Sequence, residues 1–286
     1  MNELPDGFRF GVMTSDEVYE IAQWAAVEQW NPGLHDIAIA HAFDPGAFIA
    51  LRHDGRMVGG GSIVSFGGCG FMGLFIVEPP LRGKGLGTVL WYHRLRLLRE
   101  RLPQNAPIGM DGVFAMQTFY AKGGFVLSHR DLRFDGVALD GPDQGLVPLQ
   151  QLDLDALLEY DRPFFPVSRA EFLRGWLGHP EFRTAAVLEH GEVVGCASLR
   201  PCVSGYRFGP VHADRPDIAE RLLRGLMAEV VGQPVQLDVP EPNEAGLALV
   251  TGFGMTESFG CARMYHGHMP EFAVDRTYGV TSFEFG

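Results

Sequence analysis

The sequence predicts an α+β (mixed α/β) fold that occurs twice, each copy a mostly antiparallel central sheet flanked by helices. Three observations carry this. A strand–turn–strand pattern recurs with Gly55, Gly59 and Ser62 matched by Gly191, Gly195 and Ser198, a constant offset of 136 positions. Each copy is followed by the same succession of strand, helix and strand. The 286 residues leave room for two domains at roughly 100–200 residues each.

The elements follow in order. Thr14-Ser15-Asp16-Glu17 has the form of a capping box, and Val18, Ile21, Ala22 and Ala25 continue a helix from it. Trp30-Asn31-Pro32-Gly33 then reads as a helix-ending loop. Asp54-Gly55 and His190-Gly191 each stand between alternating apolar residues, which is a hairpin signal. A buried strand is expected at 71–77 and a helix from about 86 to 101. Leu86, Val89, Leu90 and Leu97 share one helical face, with Arg94, Arg99 and Arg101 elsewhere. The second copy offers a strand at 208–211 and a helix carrying Ile218, Ala219, Leu222, Leu223, Leu226 and Val230 on one face. A Gly-Phe pair ends each copy, as Gly124-Phe125 and Gly252-Phe253. Turn chemistry without periodicity at 134–147, including Asp140-Gly141-Pro142-Asp143, places the joint there. The expected domains are 1–138 and 139–286.

With 46% hydrophobic and 20% charged residues the chain can bury a core. No apolar run approaches the ~20 residues that span a bilayer, and residues 1–7 lack a basic stretch leading into an apolar one. A cytoplasmic protein without a membrane partner is expected. The net charge of −12 argues against nucleic acid. The deficit is uneven: net −3 over residues 1–140 and −9 over 141–286. Cys69, Cys196, Cys202 and Cys261 form no C-x-x-C pair and the histidines show no ligand spacing, so buried thiols and no metal site are expected.

Chemistry concentrates at 77–88, Val-Glu-Pro-Pro-Leu-Arg-Gly-Lys-Gly-Leu-Gly-Thr. A strand enters a glycine-rich turn that opens a helix. Backbone N–H groups left uncovered at a helix start attract an anion, and Arg82 and Lys84 add full charges. The order is not that of a Walker A loop, because Lys84 precedes the last glycines, and Gly83, Gly85 and Gly87 are spaced too closely for a dinucleotide fingerprint. The spacing is R-x-x-G-x-G.

At this point the sequence resembles the GNAT family, the Gcn5-related acyl-CoA transferases. A second family motif, a tyrosine followed by Gly-Phe, is matched by Phe119-Tyr120-Ala121-Lys122-Gly123-Gly124-Phe125. Trp30–Gly33 and Gly109–Val113 further resemble segments of a tandem subgroup, the YitH-like acetyltransferases. The resemblance implies acetyl-CoA as cofactor, with Phe75, Ile76 and Val77 facing the pantetheine arm. Arg82, Gly83, Lys84, Gly85, Leu86, Gly87 and Thr88 would hold the pyrophosphate. It implies Tyr120 as the acid that protonates the departing thiolate, against the plainer reading of a packed aromatic. The acceptor pocket is expected to involve Glu28, Trp30, Asn31, Asp36 and Asp111. Trp30 equally fits core packing, and Asp111-Gly112 equally fits a turn. Many relatives carry a basic glutamate on the strand before the loop; here that stretch reads Gly70-Phe71-Met72-Gly73-Leu74, so a base acting through water would come from Glu28, His35 or Asp36. The second copy has Ala213-Asp214-Arg215-Pro216-Asp217 in place of the glycine loop, which predicts no coenzyme A site there.

The reading is an acetyl-CoA-dependent N-acetyltransferase acting on a primary amine of a small molecule, or of a peptide or protein, by direct attack in a ternary complex. A non-catalytic acyl-CoA sensor and an aminoacyltransferase using charged tRNA stand as alternatives. The oligomeric state is left open.

Overall fold

A computed structural model describes residues 4–142 and 144–286. Met1–Glu3, part of the leader reading, and Asp143 of the joint lie outside the described residues. The first half runs β1 (Phe8–Val12), α1 (Ser15–Val27), α2 (Asp36–Phe43), β2 (Phe48–His53), β3 (Arg56–Ser65), β4 (Gly70–Val77), α3 (Leu86–Glu100), β5 (Ile108–Val113), α4 (Gln117–Lys122) and β6 (Phe125–Val137). The second runs β7 (Val147–Pro148), α5 (Leu154–Tyr160), α6 (Ala170–Leu177), β8 (Arg183–Glu189), β9 (Glu192–Pro201), β10 (Tyr206–Ala213), α7 (Pro216–Met227), β11 (Pro234–Pro240), α8 (Glu244–Gly252), β12 (Thr256–His266) and β13 (Thr277–Gly279).

Local signals explain these elements. Thr14 caps α1 by accepting from the Glu17 N–H, and the Glu17 carboxylate accepts from the Thr14 N–H in return. Both hairpin turns place two consecutive residues at positive φ, Asp54 and Gly55 at 48° and 85°, His190 and Gly191 at 53° and 87°. That geometry matches the twist of the flanking strands. Alternation along β2 then sorts side chains by face. Phe48 and Ala50 join the core under α1 and α2, while Ile49 and Leu51 face the α3 side.

Two sequence expectations are corrected. Arg94 was placed away from the buried face of α3; it is fully buried beside Leu90, Trp91 and Leu98. Its guanidinium donates to the carbonyls of Ser62 (2.5 Å) and Gly73 (2.6 Å), acceptors that apolar side chains would leave unpaired. The second correction concerns the Gly-Phe pair. Gly124 precedes β6 at φ 89°, but after α8 the left-handed glycine is Gly254 at 71°, so Gly254-Met255 occupies the matching place rather than Gly252-Phe253.

Among the described residues all thirteen strands belong to one sheet, ordered β1-β2-β3-β4-β5-β12-β6-β11-β10-β9-β8-β7, with β13 on β10. The halves have exchanged their last long strands: β12 lies against β5 of the first half, and β6 lies against β11 of the second. The two exchanged strands pair with each other at the centre. A buried polar clasp seals the junction. Asp36 accepts from Arg200 at 3.0 Å, and Arg133 forks onto Asp238 at 2.7 and 2.8 Å. Arg207 donates to the carbonyls of Trp30 and Asn31.

The exchange leaves the same wedge in each half. Parallel strands β4 and β5 pair only at Gly70–Ile108 and Phe71–Gly109, and β10 and β11 only at Tyr206–Val235 and Arg207–Gln236. In the second half the wedge is filled by the chain itself: β13 pairs with β10, and the Val280 N–H donates to the Asp238 carbonyl of β11 at 2.9 Å. In the first half it stays open. Among the described residues no helix is long and apolar enough to cross a membrane, and all four cysteines are free and buried.

Candidate active site

The open wedge is a cavity of about 620 Å³. Its floor is the free edge of β4, Met72 to Val77, and its walls come from α3, β5, α4 and the second half. β4 is bulged there, since Gly60 faces Ile76 and Ser62 faces Gly73, so Leu74 and Phe75 share one position opposite Gly61. Leu74 takes the left-handed φ of 51° needed to make that bend. The cavity edge of β4 from Met72 onward has no strand partner, so its backbone can pair with an extended ligand.

At one end lies the glycine loop. Gly83 and Gly85 adopt φ of 74° and 83°, and a Cβ at either would meet nothing within 4 Å. They are required for conformation, not for lack of room. Gly85 starts α3 with no capping side chain and the first turn carries no acidic residue, so its N–H groups are uncovered. Gly87 lines the cavity, and a Cβ there would make only ordinary contacts, 3.5 Å to Phe75 and 3.8 Å to Val77. The donor set suits a diphosphate. Arg82 donates to the Val77 carbonyl at 2.7 Å and is ion-paired with Glu28 across the cavity rim. Lys84 is exposed and outside the wall, and Leu86 turns its side chain into the core.

The Tyr120 ring packs on Trp91 and Phe119, with centroids 4.8 and 5.7 Å away, and is 4% exposed. Gly112 makes its place: a Cβ there would fall 2.3 Å from the ring. Burial pushes the phenol well above its ordinary range, against a smaller opposite pull from Arg94. It therefore stays protonated through neutral pH.

Of the five residues expected around the acceptor, Glu28, Trp30 and Asp111 line the cavity. Asn31 and Asp36 do not. The Asn31 amide bonds to Ser204 and Gln236, and Asp36 is buried against Arg200 and the Gly33 N–H; both belong to the clasp. His35 likewise leaves the cavity, pairing with Glu181 at 3.1 Å. The sequence here looks like a pocket rim, but apart from the Gly33 N–H the partners of these side chains lie 146 to 205 positions away. Asp111 is held bidentately by Arg263 at 2.6 and 2.7 Å. Burial raises its carboxyl well above the usual range, and nearby Asp131 adds to this while Arg263 opposes it.

Among the wall residues that sequence reasoning missed are Trp91, Met110 and Met116 of the first half and Phe259, Cys261, Phe283 and Glu284 of the second. No local pattern marks them. Burial, with Asp111 nearby, pushes the Cys261 thiol far up, so its thiolate is disfavoured.

Two family models match the chain: one described as "Acetyltransferase (GNAT) family" over residues 15–125, and one as "Acetyltransferase (GNAT) domain" over 157–279. The chain is 28% identical over 272 residues to a holothin acyltransferase of Pseudoalteromonas sp. (strain SANK 73390), covering 93% of this chain and 90% of that one. Among solved structures it resembles a putative acetyltransferase from Pyrococcus horikoshii, with TM-score 0.84, 20% identity and coverage of 100% and 98%. It also resembles a tandem GNAT protein from the clavulanic acid biosynthesis pathway, with TM-score 0.60, 17% identity and coverage of 92% and 99%.

Proposed function

Because the chain belongs to the GNAT superfamily of acyltransferase enzymes, with one GNAT domain in each half, we propose that it transfers an acetyl group from acetyl-CoA to a primary amine of a small molecule. The observation that carries this is the open wedge of the first half, which joins a free β-strand edge to an uncapped, glycine-led helix start. Bound there, acetyl-CoA supplies the activated acyl group. Gly83, Gly85, Gly87 and Thr88 present backbone N–H groups to its diphosphate, with Arg82 and Lys84 adding charge. The edge from Phe75 to Val77 orients the pantetheine arm, and N–H groups at the bulge polarise the carbonyl. Tyr120 donates the proton that the departing sulfur needs.

Direct attack of the amine is favoured over an acyl-cysteine route, since Cys261 is held as a thiol. The relative named as a holothin acyltransferase supports acyl transfer as the reaction. The filled second wedge supports one coenzyme A site per chain.

The test is thiol release from acetyl-CoA with a panel of primary amines, holothin included, and mass detection of the amide. Release that depends on an amine supports the proposal; tight coenzyme A binding with no amine-dependent release contradicts it. Gly87→Phe is expected to weaken acetyl-CoA binding about 10- to 100-fold. Its melting temperature should stay near the wild-type value, because a Cβ there makes only ordinary contacts and Gly87 borders the open cavity that would take the ring.

A further inference from the structure

One carboxylate on the cavity wall comes from far along the chain. Residues 280–286 leave β13, enter the first half and lie buried, with Glu284 6% and Phe285 0% exposed. Several contacts fix the segment. Ser282 Oγ accepts from the N–H groups of Glu284 (3.0 Å) and Phe285 (3.1 Å). Arg133 lies 4.7 Å over the Phe283 ring, and Phe285 sits in the core under α1 and α6. A Cβ on Gly73 would stand 2.3 Å from the Glu284 carbonyl oxygen. The backbone of Glu284 therefore rests on β4 immediately before the Leu74–Phe75 bulge.

The three cavity carboxylates are not equivalent. Glu28 is ion-paired with Arg82, and both oxygens of Asp111 are taken by Arg263. Glu284 keeps Oε2 buried with no hydrogen-bond partner among the described residues. A buried acceptor in that state marks a place for a donor. The charged and titratable groups acting around Glu284 are Arg133 of β6, Arg200 of β9 and Cys261 of β12. Both arginines are bound to carboxylates, Asp238 and Asp36, and only Arg200 keeps a nitrogen, Nη2, without a hydrogen-bond partner among the described residues.

We propose that Glu284 receives the ammonium group of the acceptor and takes its proton, so that the acceptor is a compact, largely apolar primary alkylamine. The proposal rests on the acyl-transfer reading and names its substrate class. Trp30, Leu74, Phe259 and Phe283 line the same cavity as this one unpaired carboxylate and make much of its wall apolar. An alkylamine of pKa near ~10 arrives as the cation and must lose a proton before it can attack. The ammonium gives that proton to the Glu284 carboxylate. The nitrogen then forms the C–N bond as the C–S bond breaks. Tyr120 protonates the sulfur, the second amine proton restores Tyr120, and Glu284 releases its proton to water. One amine cation and one thioester become one amide, one thiol and one proton.

The experiment titrates coenzyme A onto the full chain, then benzylamine and neutral benzyl alcohol onto the coenzyme A-saturated protein, comparing wild type with Glu284→Gln and Glu284→Asp. Wild type and Glu284→Asp should bind benzylamine at least about 10-fold more tightly than Glu284→Gln, with benzyl alcohol bound alike by all three. Equal benzylamine affinity in wild type and Glu284→Gln, or no benzylamine binding by wild type, overturns the role of Glu284. Absence of coenzyme A binding in the first titration overturns the acyl-transfer reading instead.

Discussion

Tyr120→Phe is expected to lower kcat for amine acetylation by about 10²–10⁴-fold, the range for a positioned proton donor, while the Kd for acetyl-CoA changes little. The ring makes its contacts through carbon, with Trp91 and Phe119 around it and Gly112 leaving it room. Phenylalanine keeps that packing, so the loss reports the hydroxyl. Because burial raises this phenol, its proton is retained through the ordinary tyrosine range, and wild-type kcat should not fall near pH ~10 on account of Tyr120. Steady-state rates and a binding titration on the same preparations check both parts. Equal rates in the two proteins would leave Tyr120 as a wall residue only.

Asp238→Ala is expected to cost about 3–5 kcal/mol of stability, the usual cost of removing one partner from a buried ion pair. Asp238 is fully buried, carries both donors of the Arg133 fork and lies 3.9 Å from Arg207. Its loss leaves two guanidinium groups inside the clasp without their carboxylate, with only the neutral acceptors of Trp30, Asn31 and Gln236 remaining. Burial alone would raise the Asp238 carboxyl, but Arg133 and Arg207 outweigh it and hold it below its usual range. A folded-state pKa below the unfolded value of ~3.9 gives stability that is present above that pH and lost as the pH falls through the folded value. The urea midpoint of wild type should therefore fall on acidification below about pH 4, and Asp238→Ala should show less of that dependence. A variant as stable as wild type at pH 7 would mean that the exchanged strands and apolar packing join the halves without help from the clasp.

Features written in local sequence were legible, and features made by distant contacts were not. The capping box at Thr14, both hairpin turns and the apolar face of α7 rest on neighbours a few positions apart, and the structure has them as expected except that α7 ends at Met227, leaving Val230 beyond the helix though still buried. The glycine loop belongs with them, since positive φ at Gly83 and Gly85 and an open helix start are local properties. Arg94 was misplaced because helical periodicity assigns arginine outward, whereas the β4 bulge supplies buried carbonyls that need a donor. Asn31 and Asp36 stand beside Trp30 in sequence, yet their partners are Ser204, Gln236 and Arg200. The strand exchange, the filled second wedge and the arrival of Glu284 at Gly73 depend on pairings across the whole chain, which no window of the sequence contains.

If the open wedge of the first half is the one acyl-CoA site of the chain, calorimetric titration of acetyl-CoA onto wild type, Gly87→Phe and Arg215→Ala will show it. One site per chain is expected, weakened by Gly87→Phe and unchanged by Arg215→Ala in the second half. Two sites per chain, or a single site that responds to Arg215→Ala and not to Gly87→Phe, would contradict it.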